Sequence, residues 1–407
     1  MIGSLFSGIS GLTANATAMS AVGDNIANVN TPGYKRSRPS FANILSQSMG
    51  GSQANQIGRG VKMAGVGTSW SPGSVETTDN STDLSIGGEG LFVVKDGAGT
   101  AYYTRAGEFS FDKDGNLVNP DGLIVQGYAV DSTGTPGAMG NVALPQGIAT
   151  AQSTSIFTFG VNLDAASVEG DQYTSSLTVY DSLGNDVPLT MTFTKTANTN
   201  EWSWEATAPA AFVGEGNEVV GSGSLTFNED GTLPDGTDPE LSIPLTNGAT
   251  TPQAVAWDLY DDSGVTNGDL VQYASPSSTI SMSRDGYAAG TLQSIAVDEK
   301  GLFSALYTNG VTTPFSQIAL ADFPSYAGLA KIGDNLFSET LASGSATLGL
   351  PSTGGLGGIS SNSLEMSNVN LVDEFVKMIT SQRAFQANSR VITTSDEILA
   401  ELINIKR

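Results

Sequence analysis

Apolar positions recur every seven residues at the two ends of the chain, and in short alternating runs between them. Near the start, Leu5, Leu12, Met19 and Ile26 form one seam, and Ile2, Ile9, Ala16 and Gly23 lie beside it, with Val22 and Val29 widening the stripe. This spacing predicts a helix over 2–29, about 40 Å long at the rise of an α-helix. Asn30-Thr31-Pro32-Gly33 stops it, because proline biases its predecessor away from helix and glycine permits a turn. The far end mirrors the first. Met378, Phe385, Ile392 and Leu399 recur with the same period, as do Ala384, Val391, Ile398 and Ile405, and Phe375, Leu402 and Ile403 broaden the face. A second helix is predicted over 367–404, entered at Ser367 or Asn368, with Asp373 and Glu374 near its positive end.

A single amphipathic helix ordinarily packs on its own domain. Here two such helices lie at opposite ends with no comparable one between them, so they are expected to pair. Two helices cannot bury wide stripes on both members, and the surplus apolar surface predicts self-association or partner helices.

From 68 to 350 the pattern changes to strands separated by Asp/Asn-Gly turns. Leu91-Phe92-Val93-Val94, Phe109-Ser110-Phe111 before Asp112-Lys113-Asp114-Gly115-Asn116, and Ser176-Leu177-Thr178-Val179-Tyr180 before Asp181-Ser182-Leu183-Gly184-Asn185 are typical. Asp112, Asp114 and Asn116 resemble half a calcium loop, but Gly115 falls fourth and Leu123 twelfth where an EF-hand needs glycine sixth and glutamate twelfth. A plain hairpin turn accounts for these residues. Asp261 and Asp262, near Trp257 and Tyr260, could serve as a glycosidase-like pair, yet nothing sets their separation, so a solvated acidic surface is the expectation. Segments 46–55 and 351–358 are rich in glycine and serine and read as linkers on either side of the β region.

Composition narrows the function. The 407 residues carry 17 Lys/Arg against 41 Asp/Glu, a net charge of −24. Residues 1–113 are neutral, residues 364–407 nearly so, and 114–363 carry −23. With no basic cluster beyond Lys35-Arg36-Ser37-Arg38, nucleic acid is not the expected partner. No stretch is apolar for long enough to span a membrane, and the N-terminus lacks the basic and apolar regions of a secretory signal. Without His or Cys the chain cannot build a Cys/His zinc site, a Ser-His-Asp triad or a thiol nucleophile. No catalytic, cofactor-binding or metal-binding residue is assigned, and no cofactor is expected. A secreted β-rich enzyme or adhesin would explain the acidic centre but not the two neutral heptad ends.

The ends carry a resemblance. Leu5-Phe6-Ser7-Gly8-Ile9-Ser10-Gly11-Leu12, with the run from Gly23 to Lys35 that contains Asn25, Asn28, Asn30, Thr31, Pro32, Gly33 and Tyr34, resembles the N-terminal signature of bacterial flagellar rod and hook axial proteins. Leu364, Glu365, Ser367, Asn368 and Val369, followed by Met378 to Asn388, resemble the C-terminal signature. In the middle, residues 177–185, Asp285-Gly286-Tyr287-Ala288-Ala289-Gly290 and the strands through Phe323 resemble the hook branch; a distal rod or hook-associated relative is the runner-up.

The resemblance implies a mainly β α+β fold, in which N- and C-terminal helices form an inner coiled-coil-like domain and two barrel- or sandwich-like β domains are nested. Its boundaries would be 1–67 with 356–407 for the helical domain and its linkers, 68–150 with 282–355 for a discontinuous β domain, and 151–281 for an inserted outer one. It further implies helical self-polymerisation into the flagellar hook, a flexible hollow tube that transmits torque and conducts exported protein. The location would be extracellular, reached without a cleaved signal. The implied partners are other copies, the distal rod protein, the hook–filament junction protein, the hook cap protein and the flagellar type III export apparatus. Ile2, Leu5, Ile9, Leu12, Met19, Ile26, Phe375, Met378, Phe385, Ile392, Leu399 and Leu402 are the expected subunit-interface or core-helix residues.

Overall fold

The computed structural model describes residues 2–44, 59–145 and 147–405. The linker read at 46–55 lies outside the described residues. Two long helices, α1 (Ile2–Ala27) and α2 (Leu371–Ile405), bracket a β-rich chain that divides into two compact units. One unit comprises Met1–Gln146, Ser294–Ala305 and Thr312–Arg407; the other comprises Gly147–Gln293 and Leu306–Val311.

The helices pair, but through a different seam from the heptad stripe. On α1 the buried positions are Gly8, Gly11, Ala14, Ala18, Val22 and Asn25, a row of mostly small residues spaced by three and four. A Cβ at Gly8 would stand 3.1 Å from Ile392 Cγ1, and one at Gly11 would stand 2.8 Å from Asn388 Nδ2. Small residues let the backbones approach closely, so the larger Leu5, Leu12, Met19 and Ile26 are displaced to the flanks and only partly buried. Helical period fixes a face of about a third of the circumference, and side-chain size decides which row within it becomes the seam.

α1 ends two residues short of the expected 29. α2 begins at Leu371, and its N-cap is Asn370, whose Oδ1 accepts from the backbone N–H groups of Val372 (3.0 Å) and Asp373 (3.4 Å). Ser367 and Asn368, expected to cap it, are engaged elsewhere. Ser367 Oγ accepts from Val369 N, and Asn368 binds the backbone near Arg36, Ser69 and Ser71.

Residues 1–67 were expected to hold helix and linker, yet they contain a two-stranded ribbon, β1 (Ser37–Asn43) paired antiparallel with β2 (Val61–Thr68). The main sheet of this unit runs Thr312–Ile318, Ile124–Val130, Leu91–Lys95, Ala101–Thr104, Leu336–Ser338, Ala330–Gly333 in lateral order. Leu91–Lys95 is buried on both faces. Phe92 and Val94 join a core with Leu84, Leu117, Val125, Phe303 and Ile359, while Leu91 and Val93 join another with Tyr103, Phe323 and Phe337. That explains the unbroken apolar run Leu91–Val94. The Gly-rich segment 351–358 is no free linker. Ser352 N bonds Gly357 O, Leu356 packs on the first core, and Gly358–Ser361 pairs with Leu84–Gly87. β structure therefore continues to Glu365, beyond the expected edge at 356, through the pairing of Ser363–Glu365 with Val75–Thr77.

The other unit is a sandwich. Gln172–Tyr180, Asp186–Lys195, Glu201–Thr207 and Val219–Thr226 form an antiparallel meander. Ile156–Asp164 lies in the second sheet with Gln253–Trp257, Leu270–Tyr273 and Ser278–Arg284. Strict alternation along Asp186–Lys195 turns Val187, Leu189, Met191 and Phe193 inward. Trp257 is the hub, with ring centroids 5.5 to 6.4 Å from those of Phe157, Phe159, Phe193 and Trp204.

The acidic turns share one mechanism. Asp112 Oδ1 accepts from the N–H groups of Asp114 and Asn116, Asp131 Oδ1 from Thr133 and Thr135, and Asp181 Oδ1 from Leu183 and Asn185. Gly115, Gly134 and Gly184 adopt φ of +83°, +86° and +84°, which a side chain would resist. The Asp-Gly spacing is thus turn chemistry.

Trp257→Ala should lower the stability of the sandwich by about 3–5 kcal/mol, because the hole opens among four aromatic rings. Chemical denaturation followed by tryptophan fluorescence measures it; an unchanged midpoint would refute the hub role.

Candidate assembly site at the junction of the two chain ends

Fold connectivity carries the two terminal motifs into one place. After α1, Thr31 O accepts from Tyr34 N, and Gly33, at φ +69°, donates its N–H to Glu365 O at 2.7 Å. A Cβ at Gly33 would fall 2.3 Å from Ala106 N, so the close approach of backbones requires glycine. Pro32 O accepts from Asn335 Nδ2 (3.0 Å), Thr31 Oγ1 donates to Asn28 Oδ1, and Asn28 Nδ2 donates back to Asp24 O. Asn30 is exposed.

Asn25 is buried and fully used. Its Nδ2 donates to Ser37 O (2.9 Å) and to Glu374 Oε2 (3.1 Å), and its Oδ1 accepts from Ser37 N (2.8 Å). One side chain thereby joins α1, β1 and the first turn of α2. Tyr34 donates its hydroxyl proton to Asp24 Oδ2 (2.9 Å), and burial, with that acceptor, pushes the phenol up to about 12. Asn368 acts as a bracket from the other end. Its Oδ1 accepts from Arg36 N (2.8 Å) and its Nδ2 donates to Ser69 O and Ser71 O (both 2.9 Å). Leu364 and Ser367 are buried beside it and Val369 is partly buried.

Beneath these contacts lies a buried ion triad. Glu365, whose side chain is 2% exposed, accepts at Oε1 from Lys35 Nζ (2.6 Å) and Gly73 N (2.8 Å), and at Oε2 from Arg105 Nε. Arg105 spends three further N–H groups on the carbonyls of Gly90, Ile86 and Gly88. Burial alone would raise the Glu365 carboxyl; the Arg105 charge and the hydrogen bonds from Lys35, Gly73 and Arg105 outweigh it and hold the group below its ordinary range. Burial pushes the Lys35 ammonium down, with Glu365 opposing that shift.

The expected helix residues divide into two sets. Met378, Phe385, Ile392 and Leu399 are partly buried, as are Leu5, Leu12, Met19 and Ile26. Ile9 and Phe375 are exposed, and the side chains of Ile2 and Leu402 lie outside the described residues. Sequence reasoning missed Phe6, 62% exposed, and the exposed Val372, Val376 and Ile379, which with Phe375 make an apolar stripe over the first turns of α2. The spacing 372, 375, 376, 379 was the available signal. It also missed Lys35 and Arg105 as partners of Glu365, which no local spacing could reveal. α1, β1 and α2 enclose a groove of about 490 Å³ lined by Ala18, Val22, Arg38, Phe41 and Lys377 among others. The site holds structure together and leaves apolar surface bare.

Family models match four stretches: Flagella basal body rod protein at residues 5–35, the Flagellar hook protein FlgE/F/G D1 domain at 85–161, the Flagellar basal body protein FlaE D2 domain at 151–287, and the Flagellar basal body rod FlgEFG protein C-terminal at 360–405. The chain is 36% identical over 450 residues to the flagellar hook protein FlgE of Borreliella burgdorferi, with all of both chains covered. It is 33% identical to those of Treponema pallidum, over the whole of both chains, and Salmonella typhimurium, over 98% of each. In fold it is similar to the crystal structure of Helicobacter pylori flagellar hook protein FlgE2, at a TM-score of 0.53 and 14% identity, covering 72% of this chain and all of that one.

Glu365→Gln should cost about 3–5 kcal/mol, since two cations are left buried without their counter-charge. The pH dependence has a definite sign. A depressed carboxyl contributes fully above its ordinary value of 4.5 and loses that contribution as pH falls through its folded value, so acid unfolding below 4.5 should be shallower in the Gln variant. Denaturation midpoints against pH measure both effects; parallel curves would contradict the account.

Proposed function

The chain belongs to the bacterial flagellar hook protein family, and from that membership we propose how it assembles. It is a structural component of the flagellar hook. Copies polymerise helically through the apolar faces of α1 and α2 that each chain leaves uncovered. The observation that carries this reading is the exposure of Phe6, Ile9, Phe375, Val376 and Ile379 beside an already filled helix–helix seam. Covering such surface at about 25 cal/mol per Å², repeated for every copy, drives association. A heterologous contact that does not close on itself propagates as a helical tube.

Charge supports the same arrangement. The sandwich unit carries 19 Asp/Glu against Lys195 and Arg284 alone, whereas α1 carries only Asp24. Like charge repeated in every copy opposes close packing, so the neutral helices suit a packed wall and the acidic unit suits a solvated one. We assign Ile2, Leu5, Ile9, Leu12, Met19, Ile26, Phe375, Met378, Phe385, Ile392, Leu399 and Leu402 to the helix pair and its contacts with neighbours. The motif residues around Asn25 and Glu365 set the angle at which the pair leaves the β structure. Further partners in this reading are the distal rod protein, the hook–filament junction protein, the hook cap protein and the flagellar type III export apparatus. The site is extracellular, at the hook, and the role is not enzymatic.

Phe6→Asp and Phe375→Asp should each abolish tube formation while leaving the circular dichroism spectrum and melting of the monomer unchanged, because both side chains are already exposed in the single chain. Sedimentation and electron microscopy test this. Normal tubes from both variants would remove the helix faces from the assembly contact.

A further inference from the structure

The groove between α1, β1 and α2 has an apolar floor and an apolar wall. Ala18 and Val22 lie buried at the floor, while Phe41 of β1 lines the wall and stays 43% exposed. The wall runs on past the groove. Phe41 pairs with Met63 and Pro39 with Val66 across the ribbon, so these four share one face, and Met63 and Val66 are exposed as well. The charged side chains that line the groove, Arg36, Arg38 and Lys377 against Asp373 and Glu374, nearly balance. Lys377 pairs with Glu374, and Arg36, Arg38 and Asp373 make no ion pair among the described residues. At about 490 Å³ this groove has the size and lining for an apolar occupant that brings little charge of its own.

The same chain carries a segment that meets this description. Residues 2–23 contain no charged side chain, and Phe6 and Ile9, one turn apart on the side of α1 away from the helix seam, are exposed. The exposed apolar residues of α2 have charged neighbours instead: Val376 and Ile379 flank Lys377, and Val391 and Ile398 flank Asp396 and Glu397. α1 has no acidic residue in its first turn, so no side chain of its own offsets the positive end of its dipole, and Asp373 beside the groove offers a carboxylate. Phe6 cannot enter the groove of its own chain. It stands on the same helix as Ala18, about 18 Å away along the axis.

We propose that the first turns of α1 from a second copy of this chain seat Phe6 and Ile9 in this groove, against Ala18, Val22 and Phe41. Phe6 and Ile9 lie near the start of α1 and the groove lies near its end. Donor and acceptor are therefore different surfaces, and the contact is heterologous and propagates. From the midpoint of Phe6 and Ile9 to that of Ala18 and Val22 is about 19 Å of helix, so copies whose α1 helices run parallel are shifted by about that distance. This rests on the polymer reading above and names the acceptor for one of its bare faces.

The chain has no cysteine, so introduced thiols report alone. A Cβ at Gly3, one turn before Phe6, meets nothing within 4 Å, and Thr380 is exposed on the lining of the groove. A short bismaleimide cannot join the two within one chain, since Gly3 is about 22 Å of helix from Ala18. Tubes of the Gly3→Cys, Thr380→Cys double variant treated with that reagent should yield a ladder of covalent multimers on denaturing gels, and each single-cysteine variant should yield none above dimer. Tubes that form normally yet give no ladder would overturn the contact and leave the polymer reading standing. Unmodified protein that forms no tubes would overturn both. A check independent of cysteine uses Phe41, which the single chain leaves exposed. Phe41→Asp should raise the concentration for half-assembly by about tenfold or more with the circular dichroism of the monomer unchanged, because the new carboxylate is buried only between copies. Phe6→Asp with Phe41→Lys should then assemble at a lower concentration than Phe6→Asp alone. An unchanged half-assembly concentration in Phe41→Asp, or no gain in the paired variant, counts against the proposal.

Discussion

Glu365 is the constraint on which the first unit depends. Its carboxylate holds Lys35 from the segment after α1 and Arg105 from the β structure, across 330 and 260 residues of sequence. A buried ion cluster is not a cheap source of stability, because desolvation of each charge offsets most of the attraction. What it supplies here is geometry. A carboxylate with three donors around it, and a guanidinium with its other N–H groups fixed on Gly90, Ile86 and Gly88, tolerate little rearrangement. An apolar cluster of equal volume could slide; this one cannot without exposing an unpaired charge to the interior.

That fixed point gives the helices a defined exit. Asn25 and Asn368 pass the constraint outward, one to Glu374 at the start of α2 and the other to Arg36 at the start of the ribbon. Beyond them the helix pair is joined by small residues at Gly8 and Gly11 and by Ser4 with Ser395. Such a seam brings the helices close with little apolar burial of its own. Large side chains such as Phe6, Phe375 and Ile379 are left exposed, so a thin internal seam and an apolar exterior are two aspects of one choice of residues.

Much of this was legible in the sequence where the determinant is local. The heptads announced both helices, and the Asp-Gly turns announced the hairpins, because each depends on residues within about seven positions of one another. The surplus apolar surface followed from comparing stripe width with what one partner helix can cover. The seam was not legible, since Leu5 and Gly8 lie on overlapping faces and only packing decides between them. The N-cap was misread at Ser367 and Asn368 because both are good caps by composition and both were recruited by distant backbone. Glycines at 351–358 looked like a linker, yet Leu356 and Ile359 anchor that stretch in the core. Glu365 and Asn368 were visible only as parts of a motif; their partners lie hundreds of residues away in sequence.

In assembled tubes the apolar stripes left bare on α1 and α2 should become buried between copies while the Glu365 cluster stays as it is in the single chain. Electron cryomicroscopy of assembled tubes at side-chain resolution tests it most directly. Phe6 and Phe375 should be packed against neighbouring copies, with Lys35 and Arg105 still on Glu365. Tubes in which both phenylalanines face open solvent, or in which Glu365 has exchanged its partners, would contradict it.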